Sequence, residues 1–137
     1  MTKPSVEIIT GIYEALARRD LPSLMDLIDP DIIVSQTTRL PWGGQYHGIE
    51  GVQQFFTELF GSLDSQLAVD EFIDAFDRVI VIGTTRGHVR ATGVKFSIRA
   101  VHVWTVKGGR AIRFEPYVDT PKMLEALRQK PEVRQNN

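Results

Sequence analysis

The chain has 137 residues, with 16 Lys and Arg against 17 Asp and Glu, three His and no Cys. That length fits one domain, on a prior of roughly 100–200 residues each, with a core that needs no staples. Near-neutral charge argues against a nucleic-acid binder, which normally shows a basic excess. The missing cysteines exclude disulfides, thiol nucleophiles and thiolate zinc sites, and they fit a reducing compartment.

Met1-Thr2-Lys3-Pro4-Ser5 runs into an amphipathic segment, not a continuous apolar stretch. Neither a signal peptide nor a membrane span is therefore expected, and a cytoplasmic setting is. A helix is predicted over 5–19, because Val6, Ile9, Ile12, Tyr13 and Leu16 recur at steps of three and four. Ser5 suits its N-cap, and Arg18 and Arg19 suit its last turn. Asp20 caps a second short helix carrying Leu24, Leu27 and Ile28, which Asp29-Pro30-Asp31 ends. A strand starts at Ile32-Ile33-Val34 and runs towards Thr38. Residues 39–48 read as a loop holding Trp42, Tyr46 and His47 among three glycines. Loops with large aromatics often line a site. A third helix follows from Ile49 to about Ser62, with Val52, Phe55, Phe56 and Leu59 on its apolar stripe.

Beyond Asp64 the period changes from 3.6 to 2. Strands are predicted at about 67–76, 78–90, 94–107 and 110–118. Their separators are too short for parallel crossovers, so the strands form an antiparallel meander. Thr120-Pro121 opens a final helix with Met123, Leu124 and Leu127. Helices set apart from an antiparallel sheet make the fold class α+β. One domain is expected over 1–128, followed by a loose polar tail at 129–137. The strand at 94–107 is apolar on both alternations and should be covered on both faces.

This order resembles the nuclear transport factor two-like superfamily. So do Tyr13-Glu14-Ala15-Leu16 with Asp20-Leu21, Asp29-Pro30-Asp31, Gly48-Ile49-Glu50-Gly51-Val52, Ala91-Thr92-Gly93, and His102-Val103-Trp104 closing on Tyr117-Val118-Asp119-Thr120. Within that superfamily the likeness is to SnoaL-like, ketosteroid-isomerase-related bacterial proteins. It implies a curved sheet wrapped around three helices, an apolar pocket and a homodimer through the outer sheet face. The fold hosts isomerases, cyclases, dehydratases and non-catalytic binders, so it does not settle the chemistry.

Carried over residue by residue, the ketosteroid isomerase base falls on Gln36, the oxyanion tyrosine on Ile12 and the protonated acid on Val101. None can serve, and that mechanism is rejected. The epoxide hydrolase aspartates fall on Pro116 and near Gly83 and Thr85, so that set is missing as well. Asp119 is the candidate acid or base that SnoaL-like cyclases suggest, against a plain role as helix cap. Glu71 and His47 are the other candidate proton carriers. Arg99 shares the alternation of Val101 and Val103, which the resemblance turns towards the pocket. It is a candidate anchor for an acidic or carbonyl-bearing ligand, against a structural ion pair, with Glu71 as a possible partner. Tyr13, Trp42, Tyr46, Phe55, Phe56 and Val101 complete the expected lining. His102, on the alternation of Trp104, reads as a core or interface histidine. Three His without ligand spacing leave no metal site, and no cofactor motif is present. The expectation is a small-molecule pocket protein, either an isomerase, cyclase or dehydratase or a non-catalytic binder or accessory module.

Overall fold

The computed structural model describes residues 4–130. The order is α1 (Ser5–Arg18), α2 (Leu21–Leu27), β1 (Ile28–Gln36), β2 (Gly44–His47), α3 (Gly48–Ser62), β3 (Leu63–Ala75), β4 (Arg78–Val89), β5 (Lys95–Lys107), β6 (Arg110–Val118) and α4 (Thr120–Arg128). The six strands form one sheet in the order β2-β1-β6-β5-β4-β3. Helices α1 and α3 pack on its concave face, making the α+β fold expected. Residues 131–137 of the expected tail lie outside the described residues. Gln129 and Lys130 follow α4 without regular structure.

α1 buries Ile8, Ile9, Ile12 and Ala15. Ser5 is not its N-cap. Pro4 holds that position, and the Ser5 hydroxyl donates to the Phe76 carbonyl at 3.2 Å instead, tying the helix to the β3–β4 turn. Asp20 does cap α2, accepting from the Ser23 amide at 3.2 Å and from its hydroxyl at 2.6 Å. The hydroxyl contact is the main cause that holds the Asp20 carboxyl below its ordinary range.

β1 departs from expectation twice. It starts at Ile28, before Asp29-Pro30-Asp31, and the ladder is irregular between Ile28 and Ile33, where the proline supplies no N–H. It also runs parallel to β6, so the sheet is mixed and not wholly antiparallel. Short separators fixed the direction of β3 to β6 only; β1 joins them from the far end of the chain. The short β2 lies inside the segment expected to be loop, paired with β1 through Val34 and Tyr46. Four residues with two glycine neighbours carry too little alternation to read as a strand.

The meander matches expectation closely. Val81 stands opposite His102, and His102 opposite Pro116, which places Val79, Val81, Ala100, His102, Trp104, Phe114 and Pro116 on the concave face. Ile80, Ile82, Val101, Val103 and Tyr117 stand on the convex face. The β3–β4 ladder shifts register between Val69 and Glu71, and the two backbones approach closely at two glycines of β4. A Cβ on Gly87 would run into the Asp64 carbonyl, and one on Gly83 into the Ala68 carbonyl. Glycine in a strand permits such an approach of two backbones.

Candidate functional site

A cavity of about 300 Å³ lies between the helices and the concave face. Leu16, Phe56, Leu59, Leu63, Leu67 and Met123 give it apolar walls, and Trp42 closes one side. Its polar groups come from Tyr13, Gln36, His102, Ser65 and Thr85, with the exposed Arg19, Gln66 and Tyr117 at the rim. No aspartate or glutamate lines it among the described residues.

The centre of the polar wall is a chain of three side chains. Trp104 donates its indole N–H to the Tyr13 hydroxyl at 2.9 Å. The Tyr13 oxygen lies 2.6 Å from His102 Nδ1. With Tyr13 donating to Nδ1, every proton of the chain meets an acceptor, and we assign the pair in that direction. His102 Nδ1 is then the acceptor, and its own proton sits on Nε2. Among the described residues no partner meets Nε2, and no buried side-chain nitrogen or oxygen is left unpaired. Nε2–H therefore opens onto the cavity that His102 lines.

Burial sets the charge state. It pushes His102 down to about 4, so the ring is neutral near pH 7. The ring is flanked by Tyr13 at a centroid distance of 6.0 Å and by Phe114 at 5.2 Å, neither of them charged. Burial also pushes the Tyr13 hydroxyl above its ordinary range, against the opposing Trp104 hydrogen bond. A ring this hard to protonate is a weak base and a poor proton store. What it offers is a fixed N–H donor in an apolar wall, the arrangement that polarises a carbonyl oxygen.

Gln36, which the resemblance put at a catalytic position, is buried and lines the cavity. Its amide nitrogen donates to the Pro116 carbonyl at 3.4 Å. Its carbonyl oxygen has no partner among the described residues and, by the same accounting as for His102, also reaches the cavity.

The other sequence candidates scatter. Tyr13, Trp42 and Phe56 line the cavity. Phe55 lies beneath it in the core, edge-on to Tyr46, Phe56 and Phe114. Tyr46 and His47 border a separate surface depression beside Glu50 and Glu58. There the Tyr46 hydroxyl donates to Glu58 at 2.6 Å; burial first, then that carboxylate, pushes it up to about 12. Asp119 is exposed and accepts from the Lys122 amide at 3.3 Å, so it is the cap of α4 and not a pocket acid.

Arg99, Val101 and Glu71 are corrections. All three stand on the convex face, away from the cavity. The Arg99 side chain is 59% exposed and pairs with Asp70 at 2.6 Å and Thr84 at 3.0 Å, not with Glu71. A strand apolar on both alternations does not reveal which side faces in, and a one-residue choice turns every side chain over. The sequence nevertheless held a signal for His102. It alternates with Ile98, Ala100 and Trp104, and a polar group in such a row must find a partner or a ligand. Glu115 and Arg113, neighbours on β6, meet through their side chains at 3.4 Å.

A curved sheet closing on helices around an apolar pocket with a few convergent polar groups defines a small-molecule pocket fold. The model of the SnoaL-like domain family matches residues 9–114, and the chain belongs to that family. Domains of this kind commonly bind small ligands. No curated protein matches the sequence. Among solved structures, the chain is similar to an NTF2-like protein of unknown function from Burkholderia pseudomallei. The two share 32% identity over 90% of this chain and 97% of that one, at a TM-score of 0.83. An NTF2-like protein from Burkholderia thailandensis is 30% identical over 93% and 100% of the chains, at a TM-score of 0.85. TerC, co-crystallised with polyporic acid, is 29% identical over 93% and 100%, at a TM-score of 0.82. No described helix is long and apolar enough to cross a membrane.

Proposed function

We propose that the cavity takes a small, largely apolar, carbonyl-bearing molecule and polarises its oxygen through His102. Catalysis of the isomerase, cyclase or dehydratase type would then draw on that hydrogen bond. The observation that carries this reading is the 2.6 Å contact of Tyr13 with Nδ1 of a cavity-lining His102, which in the assigned direction leaves Nε2–H for a ligand. The Gln36 carbonyl supplies an acceptor on the same wall. The likeness to TerC, which was co-crystallised with polyporic acid, supports a small organic ligand.

A second reading is a holder without turnover. The lack of a lining carboxylate favours it, because proton abstraction next to a carbonyl needs a base and His102 is a weak one. Infrared spectroscopy of a bound aryl ketone such as 2-acetylnaphthalene tests the common part. The carbonyl stretch should move to lower frequency in the wild type and return towards its free position in His102→Phe, with Arg99→Gln behaving as wild type. A carbonyl band identical in wild type and His102→Phe would refute polarisation by His102. Exchange of the ketone's α-protons with deuterated water, present or absent, separates enzyme from holder.

We also propose a C2 homodimer through the convex face, where Ile80, Ile82, Val101, Val103 and Tyr117 form an apolar patch. We also propose a cytoplasmic setting, with which the cysteine-free composition fits.

A further inference from the structure

Every formal charge that the described residues put on the cavity comes from one side chain, Arg19. It follows the last residue of α1 in the left-handed region, φ 56° and ψ 37°. Glycine or asparagine is the usual occupant there, because a side chain adds steric cost. The turn is fixed by its hydrogen bonds, Arg19 N–H to the Leu16 carbonyl at 3.1 Å and Asp20 N–H to the Ala15 carbonyl at 2.8 Å. Leu16 lines the cavity, so the same turn that ends the helix carries Arg19 to the rim.

The guanidinium is held but not neutralised. Its carbon sits 5.6 Å from the centre of the Phe60 ring, and Phe60 is itself a lining residue. Its neighbour Arg18 has Asp20 at 3.7 Å, whereas Arg19 has no carboxylate within salt-bridge distance among the described residues. An arginine stacked on an aromatic wall keeps its N–H fork free for an acceptor. The apolar lining next to it would strengthen that contact relative to open water.

We infer that the ligand of this cavity is an anion, an aromatic or apolar body whose carboxylate or acidic hydroxyl is held at the mouth by Arg19. This deepens the proposed function and rests on its claim that a small molecule occupies the cavity. The ligand's two ends then meet different chemistry: a charged fork at the rim and a neutral N–H donor, His102, on the wall. The arginine expected to anchor an acid exists, but it is Arg19 on the helix end and not Arg99 on the strand.

The test uses two probes of one shape, naphthalene-2-carboxylate and naphthalene-2-carboxamide, titrated calorimetrically in low salt against wild type, Arg19→Gln and Arg19→Gly. The wild type should prefer the carboxylate by about fivefold, the size of one partly exposed charge contact. That preference should vanish in both variants while the carboxamide affinity holds. Arg19→Gly should also raise Tm, since glycine relieves the left-handed position, so its loss of preference cannot come from misfolding. An undiminished carboxylate preference in Arg19→Gly, or none in the wild type while the carboxamide binds, overturns the inference and leaves the pocket reading standing. Failure of both probes to bind at millimolar concentration overturns the pocket reading, and this inference with it.

Discussion

His102 shows how one residue's meaning depends on its neighbours. An unperturbed histidine titrates near 6.5, within the physiological range. Here the Tyr13 hydroxyl occupies Nδ1 and burial pushes the ring down to about 4. The stability consequence has a definite sign. Between pH 6.5 and 4 the unfolded chain binds a proton at this residue that the folded chain does not. Unfolding is therefore favoured progressively as pH falls through that window, by up to about 3 kcal/mol. His102→Phe should lose this part of the acid sensitivity. Urea melts at pH 7 and pH 4.5 would show a smaller difference for the variant than for the wild type; equal differences would mean that the folded histidine titrates normally. Of the sequence candidates, Tyr13, Trp42 and Phe56 were legible because a helical stripe or an aromatic loop marks them. His102 and Arg19 were overlooked because each is ordinary in its local sequence, an alternating strand residue and a basic helix end. Their roles come from what lies across the fold, at separations such as the 89 residues between Tyr13 and His102.

At the scale of elements, periodicity found the three main helices and the four long strands to within a few residues. It could not find β2, nor the direction of β1, since both depend on pairing partners outside the local window. It also gave β5 no orientation. Val101 and Val103 are as apolar as Ala100, and only packing of Trp104 against Phe114, at a centroid distance of 4.0 Å, makes the even-numbered side the core side. Gly83 and Gly87 stand in the apolar row of β4, and the backbone approach between β3 and β4 gives the reason. Gly87→Ala should force β3 away from β4 and destabilise by about 1–3 kcal/mol, the usual cost of overpacking. The same substitution should weaken ligand binding, because Ser65, which pairs with Gly87, lies on the cavity wall. Chemical denaturation and probe titration of that variant measure the two effects; an alanine tolerated without loss would show that β3 and β4 do not need a glycine at this approach.

At the scale of the whole molecule, the convex face must be accounted for. Val101 is 36% exposed and Tyr117 is 55% exposed, in register with each other and next to Ile82. Exposed apolar residues that adjoin in this way mark an interaction surface. Sedimentation at micromolar concentration should show a dimer for the wild type and a monomer for Val101→Glu, because a buried carboxylate without a partner costs several kcal/mol. A wild-type monomer would count against the C2 arrangement. The sequence by itself determined the element types, the α+β class and the family resemblance. Those follow from local periodicity, turn chemistry and residue identity, which a chain carries in one dimension. Only the tertiary structure decided which face of β5 looks inward, that Arg99 serves an outer ion pair with Asp70, and that His102 and Arg19 are the groups offered to a ligand. Register between strands and the closure of a cavity are set by contacts between distant segments. A one-residue shift there exchanges inside for outside without changing any local pattern.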